Sequence, residues 1–113
     1  MSSMIKIAVD AMGGDNSPNK IVDGVVHHHK SNNSIFYKIF GDKDKIQSLL
    51  NNRISQNNYE IVNTLNKVKS EDSPLEAAKR GKDTSMWLAI ESVKHKDSDI
   101  VISAGNTGAL LVI

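Results

Sequence analysis

The chain has 113 residues, with 14 Lys and Arg against 13 Asp and Glu, a net charge of +1 and no cysteine. A chain of this length forms one domain or part of one, and its balanced charge argues against a dedicated nucleic-acid-binding protein, which would carry a basic face. The lack of cysteine excludes a disulfide framework, a thiolate metal site and a cysteine nucleophile. No apolar run reaches the roughly 18 residues that a membrane span needs, and we expect a soluble, cytoplasmic protein.

The first predicted strand leads into an acidic, glycine-rich loop. Residues 5–9 form an apolar, β-branched run, and residues 10–15 follow it with two aspartates and two adjacent glycines. In an open α/β sheet such a loop lies at the carboxyl end of its strand, where ligands bind. Gly13 and Gly14 allow positive φ and leave the backbone open to a ligand. A plain strand-to-helix turn is the alternative interpretation.

The first predicted helix begins with Ser17 as its N-cap and Pro18 at its first helical position. Its apolar face repeats at helical spacing and consists of Ile21, Val22, Val25 and Val26. Three histidines at residues 27–29 end the helix. Consecutive helical side chains diverge by about 100°, so these rings cannot converge on one ion, and we expect no metal site.

A second strand and a second helix come after a polar loop. Residues 35–40 are aromatic and β-branched, which predicts a strand. Asp42 is suited to cap the next helix, whose inward residues are Ile46, Leu49 and Leu50, and residues 51–52 end it. Residues 51–58 form a polar tract that we expect to be exposed, with Ile54 as its one apolar anchor, and residues 59–62 predict a third strand.

The second half of the chain begins with a strong local helix signal. Residues 73–76 form a capping box with proline at the first helical position. Lys79, Arg80 and Lys82 then form a basic cluster, which is either a solvated helix end or an anion site. A further helix begins at residues 83–85 and is largely apolar, so it is predicted to pack on the sheet.

The fourth predicted strand, residues 100–102, is entirely apolar and therefore typical of a central strand. It opens into residues 103–108 (SAGNTG), and an apolar, helix-like run completes the sequence. Because this run shows no turn or polar close, we expect the chain to be the front portion of a larger protein.

Alternating strands and helices predict a parallel sheet with right-handed crossovers. In the common strand order 3-2-1-4, strands one and four are neighbours at the topological switch point, where ligands bind. The loops at residues 10–15 and 103–108 would then face each other across one crevice. Residues 103–108 are suited to bind an anion, because their glycines allow close approach of the backbone and their hydroxyl and amide groups supply donors. For Ser103 itself, ordinary strand-end packing is the preferred interpretation.

Two motifs resemble the bacterial phosphate acyltransferases, the PlsX family. Residues 7–15 (IAVDAMGGD) are similar to the opening signature of that family, and residues 103–110 (SAGNTGAL) are similar to its second hallmark. Residues 41–42 and 79–86 are also similar to the family. The resemblance covers essentially the whole chain, and the match is weakest at about residues 51–70. The family's chains are much longer, so residues 1–113 would be the amino-terminal part of a single domain, inactive or nearly so alone.

The resemblance implies a fold, an activity and partners. The fold would be α/β, a three-layer αβα arrangement with a mostly parallel, Rossmann-like sheet of the isopropylmalate dehydrogenase-like and phosphate acetyltransferase type, here truncated. The activity would be formation of acyl phosphate from acyl-acyl-carrier-protein and inorganic phosphate, for phospholipid biosynthesis. It implies no cofactor, a homodimer, and a membrane glycerol-3-phosphate acyltransferase as partner.

The resemblance also assigns roles to residues. Asn106 and Thr107 would be catalytic, and the residues that bind substrate or phosphate would be Asp10, Gly13, Gly14, Asp15, Gly105, Gly108, Lys79, Arg80 and Lys82. Asp10 and Asp15 would orient donors or the helix start, with capping and loop hydrogen bonding as the structural alternative. The alternative functions are a non-catalytic module that binds an anion or a nucleotide, and a phosphate acetyltransferase or dehydrogenase relative.

Overall fold

The computed structural model of the chain describes residues 4–12, 17–32, 34–64 and 84–103. Within these ranges the strands are β1 (Ile5–Asp10), β2 (Ile35–Gly41), β3 (Tyr59–Asn63) and β4 (Ile100–Ser103). The α-helices in the same ranges are α1 (Asn19–Ser31), α2 (Lys43–Leu50) and α3 (Ser85–Lys94), and a 3-10 turn, Gln56–Asn58, precedes β3. None of the helices within these ranges is long and apolar enough to cross a membrane.

The strands form one parallel sheet in the order β3-β2-β1-β4. This confirms the predicted order and places β1 between β2 and β4. In the pairing of β1 with β4, Asp10 lies opposite Ser103. The last residues of these two neighbouring strands therefore meet at the carboxyl edge of the sheet, the edge at which α/β proteins bind ligands.

Side chains alternate between two faces of the sheet, and each face has its own core. One face carries Ile7 and Val9, which pack with Tyr37 and Ile39 of β2 against α1 and α2. The other face carries Ala8, which packs with Phe40 against Ala89 of α3. The sheet thus lies between two layers of helix, as predicted for a three-layer α/β fold.

Three details differ from the sequence predictions. α1 begins one residue later, with Pro18 rather than Ser17 as its N-cap, because the Pro18 carbonyl accepts the first helical hydrogen bond from Val22. Asn58, in the tract expected to be exposed, is buried and donates through its side-chain amide to the Ile35 carbonyl. β4 pairs only with β1 among the described strands, so it is not central there, and its Ile100 and Ile102 side chains are 51% and 48% exposed.

The second helix confirms its predicted ends. The Asp42 side chain accepts a hydrogen bond from the Lys45 amide at 3.3 Å, which satisfies one donor of the first turn. Asn51 and Asn52 end the helix at φ values of 38° and 63°, a left-handed conformation that asparagine tolerates better than most residues. The capping box predicted at residues 73–76 lies outside the described residues.

Close packing at the carboxyl edge leaves no room for a side chain at Gly41. A Cβ atom there would lie 2.8 Å from Met12 Cγ and 2.8 Å from Ile46 Cδ1. Met12 and Ile46 are both buried. Gly24, by contrast, lies in the middle of α1 with nothing within 4 Å of a built Cβ. A side chain therefore has no space at Gly41 and ample space at Gly24.

We expect Gly41→Ala to destabilise the chain by about 1–3 kcal/mol, because Met12 and Ile46 must move to accommodate the new methyl group. The matched change Gly24→Ala should stabilise it by about 0.5–1 kcal/mol, the usual gain in a helix interior. Urea denaturation of both variants measures these changes. Equal stabilities for the two variants would contradict the described packing at Gly41.

Tyr37 is 2% exposed, and its hydroxyl oxygen lies 2.6 Å from Nδ1 of His28. Burial raises the pKa of the Tyr37 hydroxyl above its ordinary value of 10.0. The folded chain therefore holds this proton more tightly than the unfolded chain does. The stabilising contribution of the protonated hydroxyl is complete below the unfolded pKa and is lost as the pH rises through the higher folded pKa.

We expect the free energy of unfolding of the parent chain to fall, relative to that of Tyr37→Phe, as the pH is raised above about 10. The phenylalanine variant is the control, because it lacks the titrating group and keeps the ring. Urea denaturation at a series of pH values on both sides of 10 measures the difference. A difference that stays constant across the series would refute the assigned direction of the pKa shift.

Candidate functional site at the carboxyl edge of the sheet

Asp10, the last residue of β1, is the most deeply buried acidic group among the described residues, with 1% of its surface exposed. Both of its carboxylate oxygens accept hydrogen bonds. Oδ1 accepts from the Ser85 hydroxyl at 2.5 Å and from the Met12 amide at 3.1 Å. Oδ2 accepts from the Ser103 hydroxyl at 2.8 Å. These donors compensate for the removal of the carboxylate from water.

Ser85 reaches Asp10 because α3 begins at the carboxyl edge of the sheet. Thr84 is the N-cap of this helix, and its side chain accepts a hydrogen bond from the Trp87 amide at 3.2 Å. Ser85, the first helical residue, is completely buried. The amino end of a helix carries a partial positive charge, which favours a carboxylate placed beside it. Helix α3 therefore supplies Asp10 with both a donor and a favourable field.

Ser103 reaches the same carboxylate from β4. Its position opposite Asp10 in the parallel register puts both side chains on the same face of the sheet, where the hydroxyl can donate to Oδ2. The structure adds a specific hydrogen bond to the strand-end packing that the sequence predicts for Ser103. The hydroxyl joins the ends of two neighbouring strands through one buried carboxylate.

Asp10 thus connects three elements of the fold at one point. It joins β1 to β4 through Ser103 and to α3 through Ser85, while its bond to the Met12 amide turns the chain as it leaves β1. The described geometry therefore brings together Asp10 and Ser103, the residues at which the two predicted loops begin.

Asp10 is the only predicted site residue that falls within the described ranges. The other ten lie outside them: Gly13, Gly14, Asp15, Lys79, Arg80, Lys82, Gly105, Asn106, Thr107 and Gly108. Their assignments remain predictions. For Asp10, the three protein donors fit both the orienting role and its structural alternative, capping and loop hydrogen bonding.

Ser85 is a member of this site that the local sequence pattern does not single out. Residues 83–85 predict a helix start, and α3 does begin at Ser85. The local pattern does not reveal the hydrogen-bond partner of Ser85, because Asp10 is 75 positions away in the sequence. A signal was available in the topology: a helix that precedes a parallel strand begins at the carboxyl edge, beside the ends of the neighbouring strands.

The fold and this edge define an open, parallel α/β protein. The sheet is parallel, helices cover both of its faces, and its switch point lies between the carboxyl ends of β1 and β4. Within that class the comparison with protein families is specific. Residues 5–113 match the family model described as "Fatty acid synthesis protein", and the chain belongs to that family.

The chain is also similar to curated proteins named phosphate acyltransferase. It is 69% identical over 113 residues to the one from Pelagibacter ubique (strain HTCC1062), which covers all of this chain and 34% of that relative. It is 44% identical over 110 residues to the one from Streptococcus pyogenes serotype M5 (strain Manfredo), which covers 97% of this chain and 32% of that relative. The chain therefore spans about a third of the length of these curated relatives.

We expect Asp10→Ala to lower the free energy of unfolding by about 2–4 kcal/mol, because the Ser85 hydroxyl, the Ser103 hydroxyl and the Met12 amide lose their shared acceptor. A matched control is Asp23→Ala. Asp23 pairs with Arg53 at 3.2 Å, but both side chains are largely exposed, and the loss should stay below about 1 kcal/mol. Urea denaturation compares the two variants, and similar losses would argue against a structural role for Asp10.

Proposed function

We propose that this chain is the amino-terminal part of the α/β domain of a phosphate acyltransferase, which forms acyl phosphate from acyl-acyl-carrier-protein and inorganic phosphate for phospholipid biosynthesis. Family membership over residues 5–113 and the names of the relatives support this proposal. The observation that carries it is the hydrogen bonding of Asp10, which joins the ends of β1 and β4, the two strands that the family motifs follow in the sequence.

The proposed reaction is attack of a phosphate oxygen on the thioester carbonyl carbon. A carbon–oxygen bond to phosphate forms, the carbon–sulfur bond breaks, and the carrier thiol leaves with the proton that the phosphate gives up. The protein has two tasks in such a step: to hold phosphate in line with the carbonyl, and to offer fixed donors to the oxyanion that develops. The reaction forms no covalent acyl-enzyme, which agrees with the lack of cysteine in the chain.

The proposed roles are those of the family motifs. Asn106 and Thr107 donate to the phosphate or to the thioester oxygen, and Gly105 and Gly108 allow close approach of the backbone. Gly13 and Gly14 do the same on the opposite side of the crevice. Lys79, Arg80 and Lys82 attract phosphate or the acidic carrier protein, and Asp10 and Asp15 orient the donors around them.

The cellular setting forms part of the proposal. We place the protein in the cytoplasm, associated with the membrane through a glycerol-3-phosphate acyltransferase that uses its product, and we propose that it acts as a homodimer. The exposed apolar side chains of β4, Ile100 and Ile102, are consistent with a further protein surface packed against this side of the sheet.

A chimera tests the activity, because the chain spans about a third of its relatives. Residues 1–113 replace the matched third of the Pelagibacter ubique phosphate acyltransferase, with which they share 69% identity. The chimera is then given acyl-acyl-carrier-protein with and without phosphate. We expect release of free carrier thiol that depends on phosphate. If the chimera acts on acetyl-CoA instead, or reduces NAD, the proposed phosphate acyltransferase function is wrong.

Within the chimera we expect Asn106→Ala to lower kcat by about 10²–10³-fold, the usual cost of removing one oxyanion donor. Asn57→Ala is the matched control. Asn57 is exposed in the turn before β3, far along the sheet from β4, and its loss should leave kcat unchanged. Equal kcat values for the two variants would show that Asn106 is not a catalytic residue.

A further inference from the structure

We propose that Ser85 is a positioning residue for the proposed phosphate-binding role: its hydroxyl holds the Asp10 carboxylate and, through it, Ser103 at the end of β4. The proposal rests on the proposed function and deepens it, since the roles proposed above include none for the Ser85 hydroxyl. The contacts of Asp10, Ser85 and Ser103 carry it.

A chain of hydrogen bonds links Ser85 to the end of β4. Ser85 donates to Oδ1 of Asp10 at 2.5 Å, and Ser103 donates to Oδ2 at 2.8 Å. Ser103 is the last residue of β4, and the phosphate loop proposed at residues 104–108 begins immediately after it. The carboxylate therefore connects the start of α3 to the start of this loop. Because an ionised carboxylate only accepts hydrogen bonds, both hydroxyls must donate to it.

Without the Ser85 hydroxyl, the Asp10 carboxylate would lose a donor that bulk water does not replace, because Ser85 is 0% exposed and Asp10 is 1% exposed. The carboxylate of the variant would turn or shift toward its remaining donors, the Ser103 hydroxyl and the Met12 amide. Each of these groups lies at the start of a loop proposed to bind substrate. A change at Ser85 should therefore move both loops without removing any group that touches substrate.

The chain contains a matched control in the same helix. Ser92 is also buried, and its hydroxyl is hydrogen-bonded to the Ser98 hydroxyl at 2.7 Å. This pair lies at the other end of α3, next to the turn that leads into β4. Ser92→Ala removes one buried hydroxyl and one hydrogen bond, as Ser85→Ala does, but at the edge of the sheet away from Asp10.

The first measurement uses the 113-residue chain and needs no activity. Amide chemical shifts are recorded in ¹H–¹⁵N spectra of the parent, Ser85→Ala and Ser92→Ala. We expect Ser85→Ala to shift the amides of residues 104–108 and 13–16, and Ser92→Ala to leave them in place. Titration with inorganic phosphate should shift the same amides in the parent and require a higher phosphate concentration in Ser85→Ala. Unchanged loop amides in Ser85→Ala would overturn the proposal.

The second measurement uses the chimera with the Pelagibacter ubique relative. We expect Ser85→Ala to lower kcat/KM for phosphate by about 10- to 100-fold, the effect of misplacing groups without deleting them, while Ser92→Ala keeps the parent value. Both variants should lower Tm by similar amounts. Similar Tm losses with equal kcat/KM values would assign Ser85 a purely structural role and overturn the proposal. Ser103→Ala, which removes the other hydroxyl donor, should reproduce the Ser85→Ala result.

The two measurements separate the failure of this proposal from failure of the proposed function. If the parent chimera releases no thiol in response to phosphate, the proposed function fails, and the amide shifts alone decide whether Ser85 controls the loops. If the parent chimera is active and Ser85→Ala behaves like Ser92→Ala, the function stands and the positioning role of Ser85 is rejected.

Discussion

A buried carboxylate at the end of an inner strand holds this structure together. Asp10 accepts hydrogen bonds from its own turn, from β4 and from the first residue of α3. A carboxylate with 1% exposure is costly unless its oxygens are paired, and here the donors come from segments that are distant in sequence. The need to pair one charge therefore fixes how β1, β4 and α3 meet, and it fixes this at the edge where a parallel sheet binds its ligands.

The rest of the fold supports that point from both faces. Ile7 and Val9 secure β1 against α1 and α2 on one side, and Ala8 packs against α3 on the other. The closely packed Gly41 and Met12 leave no space where the chain turns away from β1. The strand that carries Asp10 is thus held on both faces and by both neighbouring strands, so the carboxylate has a defined position at the carboxyl edge of the sheet.

Much of this arrangement could be predicted from the sequence, and the exceptions have physical reasons. Strand order, the Asp42 cap and the left-handed end of α2 at Asn51 are consequences of local patterns and of the rule that crossovers are right-handed. Ser85 and Ser103 could not be assigned in the same way, because a serine at a helix start or a strand end has an ordinary local explanation. Only the register that places Ser103 opposite Asp10, and the position of α3 above them, reveals their shared partner. The apolar composition of β4 predicted a central strand. Such composition indicates only that a strand is buried, whether by a helix, a loop or another strand, and it does not show that a second strand pairs with it.

If the segments after β1 and β4 meet at one site, a spin label on one of them must lie close to the other. The chain has no cysteine, so Asn16→Cys provides one attachment point for a nitroxide in the first segment. A label on Asn57→Cys, in the turn before β3, is the control. We expect the label at residue 16 to broaden the amide resonances of residues 104–108 and the label at residue 57 to leave them sharp. Unbroadened resonances with the label at residue 16 would contradict the shared site.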